Sequence, residues 1–134
     1  MAKLTLYHAS PSRSSIVLWM LEELGQPYDI HLVSLAKGEN HAADYLAVNP
    51  MGKVPAIRHG DAVVTEAAAI CAYLADAFPK AGLAPAPGER LRGPYYRWLF
   101  FGAGPIEAAA TNKAMGFEVP PDRSRWPDTA RSPT

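Results

Sequence analysis

Three short stretches of the chain carry residue types that could do chemistry together. The first is Ser10-Pro11-Ser12-Arg13-Ser14-Ser15, a run of hydroxyl groups directly ahead of an apolar, periodic segment. A helix starting there leaves backbone N–H groups unpaired and carries a partial positive charge at its beginning, so an anion is stabilised beside it. The second is Val54-Pro55 inside "NPMGKVPAI", residues 49–57. Val54, Ala56 and Ile57 read as buried, extended chain, yet Pro55 has no N–H and is normally excluded from a central strand. An edge strand or a bulge accommodates such a proline; so does a cis bond that turns the Val54 backbone outward for a ligand to pair with. The third is Thr65-Glu66-Ala67 at a second helix start, where amide groups could hold a carboxylate and Glu66 could accept hydrogen bonds from an ammonium group.

Taken together, these groups suit a small zwitterionic peptide that carries a thiol. A hydroxyl at the first helix would donate to a thiolate and favour it over the thiol. From a thiol pKa of about 8.5, a drop of roughly two units corresponds to about 2.7 kcal/mol of preferential thiolate stabilisation. Each feature also has a plain structural reading: the serines as cap and turn, Pro55 as an edge-strand residue, Glu66 as a complement to the helix dipole. Order and spacing, rather than any single residue, carry the functional reading.

The elements that must position these residues follow from the pattern. "KLTLY" (3–7) alternates and predicts a strand; residues 16–24 place Val17, Met20, Leu21 and Leu24 on one helical face, with Ser12 or Ser14 as N-cap and Gly25 as terminator. "PYDIHLV" (27–33) predicts a second strand, so the opening is a β-α-β unit long enough for a parallel crossover. A short helix is expected around 40–47. "VPAI" and "AVV" then form strands about a Gly60-Asp61 turn. Residues 65–78 predict a helix capped by Thr65, with Ile70, Tyr73, Leu74 and Phe78 as its apolar stripe. The fold class is α/β: a βαβ-α-ββα domain with a mixed sheet over residues 1–78, then a Pro/Gly/Ala-rich linker at 79–89. Residues 90–117 predict one aromatic-rich helix, kinked or restarted at Pro105, that opens an all-helical domain. Residues 118–134 are dominated by Pro, Arg, Ser, Thr and Asp without periodicity and are expected to be disordered.

Bulk properties exclude several classes. Formal net charge is zero, which leaves no electrostatic footprint for nucleic acid or an anionic membrane. The single cysteine, Cys71, permits no internal disulfide and no Cys-x-x-Cys, and His8, His31, His41 and His59 lack zinc-site spacing, so no metal site is expected. No G-x-G-x-x-G follows the first strand, which sets a dinucleotide site aside. Met1-Ala2-Lys3 leads into the first strand without signal-peptide character, and apolar stretches such as 67–75 are far shorter than a membrane span. A soluble, cytoplasmic protein is the expectation.

Residues 3–78 resemble the N-terminal, thioredoxin-like domain of the glutathione transferases. The matching pieces are "LYHASPSRSSIVLWMLEELGQPY", "NPMGKVPAI" and "TEAAAICAYLADAF", and residues 90–117 resemble the first helix of that family's helical domain. The run Asn49–Ile57 followed by Glu66 is specific to the family; the Ser-Arg-Ser loop leading into "LEELG" resembles its bacterial and fungal branches. The resemblance implies a cis bond at Pro55 and pairing of the Val54 backbone with the cysteinyl unit of glutathione, which acts as co-substrate. It implies that Glu66 and Ala67 hold the γ-glutamyl end, that Lys53 and His41 lie nearer the glycine carboxylate, and that a loop hydroxyl, Ser12 in preference to Ser10, activates the thiol. Position 67 is usually serine in the family; Ala67 keeps the backbone N–H and loses a hydroxyl contact. The family's electrophile pocket lies between two domains, and its homodimer uses both. The expectation is therefore a detoxifying transferase, truncated in its second domain, in which glutathione binding outlasts efficient conjugation of a small electrophile. The alternative is a non-catalytic binding or scaffold module of the same fold, using its aromatic helix as a contact surface.

Overall fold

In the computed structural model, which describes residues 2–118 and Pro120, the chain divides into two compact units, residues 1–89 and 90–134. The first is built on four strands: β1 (Leu4–His8), β2 (Asp29–Leu32), β3 (Ala56–His59) and β4 (Ala62–Thr65), in sheet order β2-β1-β3-β4. β1 runs parallel to β2, and β3 is antiparallel to both β1 and β4. The mixed, thioredoxin-like arrangement follows from the connections. β1 reaches β2 through helix α1 (Ser14–Leu24), long enough for a parallel crossover, whereas β3 and β4 join through a tight turn in which Gly60 adopts φ 59°.

α1 turns Ser14, Val17, Leu21 and Leu24 inward and ends at Gly25, whose φ of 66° lets its N–H close on the Leu21 carbonyl. Helix α3 (Ala67–Ala77) contributes Ile70, Leu74 and Ala75. With Leu4, Leu6 and Ile57 from the sheet, the apolar residues of both helices form one core, and Tyr73 and Phe78 pack on its border. The expected segment around 40–47 is a 3₁₀ turn (Glu39–His41) followed by the single-turn helix α2 (Ala43–Leu46).

Two capping expectations are corrected. The residue directly before α1 is Arg13, not Ser12 or Ser14: Ser14 is already helical with its hydroxyl drawn into the interior, while Ser12, one position earlier, still accepts the Ser14 N–H at 3.1 Å. Thr65 does not cap α3: it is the last residue of β4, paired with Ala56, and Glu66 holds the cap position. Residues 79–89, read as a linker, start with a 3₁₀ turn (Pro79–Ala81) and belong to the first unit, with Ala81 and Leu83 packed against its core.

In the second unit, the helix expected over 90–117 is divided. α4 (Arg92–Phe101) passes into a π-helical stretch (Gly102–Ile106) and then α5 (Glu107–Met115). Pro105 lies inside the wide turn; it has no N–H for an i→i−4 bond, and the π stretch absorbs that loss without ending the helix. The segment expected to be disordered, 118–134, lies outside the described residues apart from Glu118 and Pro120. Among the described residues no helix is long and apolar enough to cross a membrane.

Candidate functional site

The strand register brings the three chemical stretches to one end of the sheet. Tyr7 of β1 lies opposite Ala56 of β3, and Ala56 lies opposite Thr65 of β4. The chain leaving β1 at His8, the chain entering β3 through Val54-Pro55, and the chain leaving β4 into Glu66 are therefore neighbours. β2 leaves at the same end, where the Val33 N–H donates to the His8 carbonyl at 2.8 Å.

The Val54–Pro55 peptide is cis, as is Ser10–Pro11. Both ladders that include β3 begin at Ala56, so the Val54 N–H and C=O lie beyond the register of either partner strand. The approach to Val54 is fixed by side chains that the sequence reading did not single out. The Tyr45 hydroxyl (2.6 Å) and the Asn49 amide (2.8 Å) both donate to the Lys53 carbonyl. Asn49 also folds its own loop, its Oδ1 accepting from the Met51 N–H and its carbonyl from the Gly52 N–H. Asn40 donates to the Gly52 carbonyl at 2.9 Å, tying the 3₁₀ turn to this loop. Gly52 has φ 62°, and a Cβ there would come within 3.0 Å of the Asn40 carbonyl oxygen and 3.1 Å of His41 Nδ1, so glycine is required. His41 thus sits over Gly52, while the Lys53 side chain is exposed beside Val54. Asn49 and Gly52 carried a local turn signal in Asn-Pro-Met-Gly. Tyr45 carried none, because its role depends on a contact eight residues away. Burial pushes the Tyr45 phenol up to about 12, with the neighbouring Tyr7 adding to the shift.

Glu66 has φ 71° and ψ 118°, the one left-handed non-glycine residue among those described. Such a conformation costs on the order of 1–3 kcal/mol and persists only where the surroundings impose it. Here β4 and α3 hold it from either side: Thr65 is in the ladder, and the Glu66 carbonyl accepts from the Ile70 N–H at 2.8 Å. The consequence is an exposed Glu66 side chain beside the unpaired first amides of α3, including that of Ala67.

At the β1–α1 loop Ser10 is exposed and Ser12 half-buried. The Ser12 hydroxyl lies 2.6 Å from the Ala9 carbonyl and 2.6 Å from Ser14 Oγ, and accepts from the Ser14 N–H at 3.1 Å. Ser14, fully buried, continues this line to His8 Nδ1 at 2.7 Å. Ser14 entered the sequence reading as a possible cap and as one member of the hydroxyl run 10–15, and His8 as a histidine without zinc spacing. Among the described residues no group of three or more His, Cys, Asp or Glu side chains could hold a metal ion. Cys71 lies within α3, and burial pushes its thiol pKa up, away from a reactive thiolate.

Residues 12–77 match the model of the glutathione S-transferase N-terminal domain. A glutathione transferase homolog from Sulfitobacter, solved with bound glutathione, superposes with a TM-score of 0.71 at 32% identity, covering 91% of this chain and 60% of that one. The chain belongs to the glutathione transferase family. Its curated relatives include Protein LigF of a Sphingobium species, 38% identical over 87 residues (64% of this chain, 34% of that protein). Glutathione S-transferase Z2 of Arabidopsis thaliana is 41% identical over 87 residues, 63% of this chain and 38% of the relative. The chain thus spans little more than a third of the length of these two relatives.

Proposed function

We propose that the first unit of this chain binds reduced glutathione and activates its thiol for attack on a small electrophile. One observation carries the reading: a hydroxyl-bearing loop, an unladdered backbone segment and the start of α3 converge at one end of the sheet in a family whose members are solved with glutathione bound. In this reading Val54 pairs with the cysteinyl unit through its N–H and C=O, and Glu66 accepts from the γ-glutamyl ammonium. The Ala67 amide and the α3 dipole hold the γ-glutamyl carboxylate. Lys53 and His41 face the glycine carboxylate. Ser12, with Ser10 beside it, donates to the sulfur, so the thiol proton is lost to water at neutral pH. The thiolate then forms a C–S bond to the electrophilic carbon, and the leaving group departs with its bonding electron pair. Cytoplasmic detoxification by a homodimer completes the reading.

Calorimetric titration with reduced glutathione, followed by reaction with a model aryl halide, tests it. The expected result is saturable binding that Glu66→Ala weakens at least tenfold, with conjugation depressed in Ser12→Ala. Binding that ignores Glu66→Ala would overturn the placement of the peptide; a folded chain that ignores millimolar glutathione would favour the scaffold alternative.

A further inference from the structure

The hydroxyl read as the thiol activator is not isolated: it ends a line of three side chains that runs into the protein. Ser12 Oγ lies 2.6 Å from Ser14 Oγ, and Ser14 Oγ lies 2.7 Å from His8 Nδ1. Ser14 is 0% and His8 8% exposed, so solvent does not exchange for either inner member of the line, while Ser12 at its outer end is half-buried. A serine hydroxyl has one proton to give and two lone pairs to fill. The Ala9 N–H donates to Ser14 Oγ at 3.1 Å and takes one lone pair. The Ser14 N–H donates to Ser12 Oγ at 3.1 Å and takes one there. The Ala9 carbonyl, 3.0 Å from Ser14 Oγ, competes for the Ser14 proton. Giving it that proton leaves one of the shorter 2.6 and 2.7 Å contacts without a bridging hydrogen; with both bridged, the remaining valences admit two orders of protons.

If His8 Nδ1 bears no hydrogen, the Ser14 hydroxyl must donate to it, since otherwise two lone pairs face each other in a buried site at 2.7 Å. The 2.6 Å gap between the two serine oxygens then has to be bridged by the proton of Ser12. That proton is held inside, and Ser12 offers an incoming sulfur only lone pairs. If His8 Nδ1 carries a hydrogen, it donates to Ser14 Oγ and fills its second lone pair. Ser14 must then donate to Ser12, whose own lone pairs become occupied by the Ser14 N–H and O–H. The Ser12 proton is left with the Ala9 carbonyl at 2.6 Å or with a ligand. An anionic sulfur is the stronger acceptor of the two.

We infer that His8 and Ser14 are positioning residues for thiol activation, and that a hydrogen on His8 Nδ1 is what turns the Ser12 hydroxyl outward to the bound thiolate. The inference rests on the reading of Ser12 as the activating hydroxyl. It requires no charge on the imidazole, only the Nδ1–H form.

The test uses the full chain saturated with reduced glutathione. The ultraviolet absorbance of the bound thiolate is followed against pH in the wild type, Ser12→Ala, His8→Leu and His8→Asn. His8→Leu is expected to raise the pKa of the bound thiol by about one unit, a roughly tenfold drop in its ionisation constant. His8→Asn can present an amide N–H where Nδ1 stood, and is expected to recover most of that loss; a packing defect alone would not be rescued. Nitrogen NMR of the wild-type imidazole supplies the second measurement and needs no variant to fold: His8 Nδ1 is expected to carry hydrogen when the thiolate is bound. A bare Nδ1 in that complex overturns the inference. So does a wild-type thiol pKa in folded His8→Leu when Ser12→Ala raises it, an outcome that leaves the activating role of Ser12 standing. An unchanged thiol pKa in Ser12→Ala instead removes that role, and this inference with it.

Discussion

The helices of the two units treat their apolar side chains in opposite ways. In the first unit α1 and α3 drive Leu21, Ile70 and Leu74 to zero exposure against the sheet, whereas on α4 Trp98 is 60% and Phe100 68% exposed. The aromatic groups of α4 instead meet one another along the helix. Tyr96 packs on Phe100, Trp98 meets Phe101 edge-on, and the Arg92 guanidinium lies over the rings of Tyr95 and Tyr96. Local pairs of this kind contribute about 0.2–0.5 kcal/mol each, while full burial of a leucine-sized side chain contributes about 1.5–3 kcal/mol. A 3.6-residue apolar period therefore describes a face that can be buried; whether it is buried depends on what lies opposite.

Substitutions can break or sharpen that contrast. The largest effect is expected at Leu74→Ala, where removing a fully buried side chain from between α3 and the sheet should cost about 2–5 kcal/mol, read as a lower urea midpoint. A loss under about 1 kcal/mol would mean the first unit has no cooperative core of its own. An intermediate effect is expected at Tyr45→Phe, which removes one of the two donors to the Lys53 carbonyl and should cost about 1 kcal/mol at neutral pH. The same residue sets a pH dependence. Its phenol is held up at about 12 against an ordinary value of 10.0, so the neutral form is favoured in the folded state. The resulting stability is whole below pH 10 and is lost as pH rises towards about 12. Urea midpoints measured across that interval should fall less steeply in Tyr45→Phe than in the wild type. The smallest effect is expected at Phe100→Ala, within about 0.5 kcal/mol of the wild type. A loss above 2 kcal/mol there would show that α4 belongs to a packed core, and the contrast would collapse.

Much of the first unit was legible because its signals are local and periodic. Alternation marked a strand at residues 3–7, which is observed at Leu4–His8; the helical stripe marked Val17, Leu21 and Leu24, and Gly25 stood where a left-handed terminator was needed. The caps were misread for one shared reason. Ser, Thr and Asp are preferred caps on average, but Ser14 is drawn inward by His8 and Ala9, and Thr65 is held by the sheet. Contacts made after chain folding outweigh a local preference of about 1 kcal/mol. The division of 90–117 was half visible: Pro105 signalled an interruption, and the local sequence did not say that a π stretch would carry the helix through it.

Apart from the expected places of His41 and Lys53, which rest on the family resemblance, the sequence by itself determined the order of elements, the parallel start of the sheet, and three stretches, at 10–15, Val54-Pro55 and 65–67, whose residue types suit a thiol-bearing peptide. These follow from periodicity and residue chemistry, which act over a few positions along the chain. The tertiary structure alone decided that Tyr45 and Asn49 fix the Lys53 carbonyl, that Glu66 is held left-handed between β4 and α3, and that Ser12 is backed by Ser14 and His8. Each of those relations joins groups whose geometry is set by the sheet register or by a packed neighbour. No window of residue types contains the direction in which a side chain finds its partner.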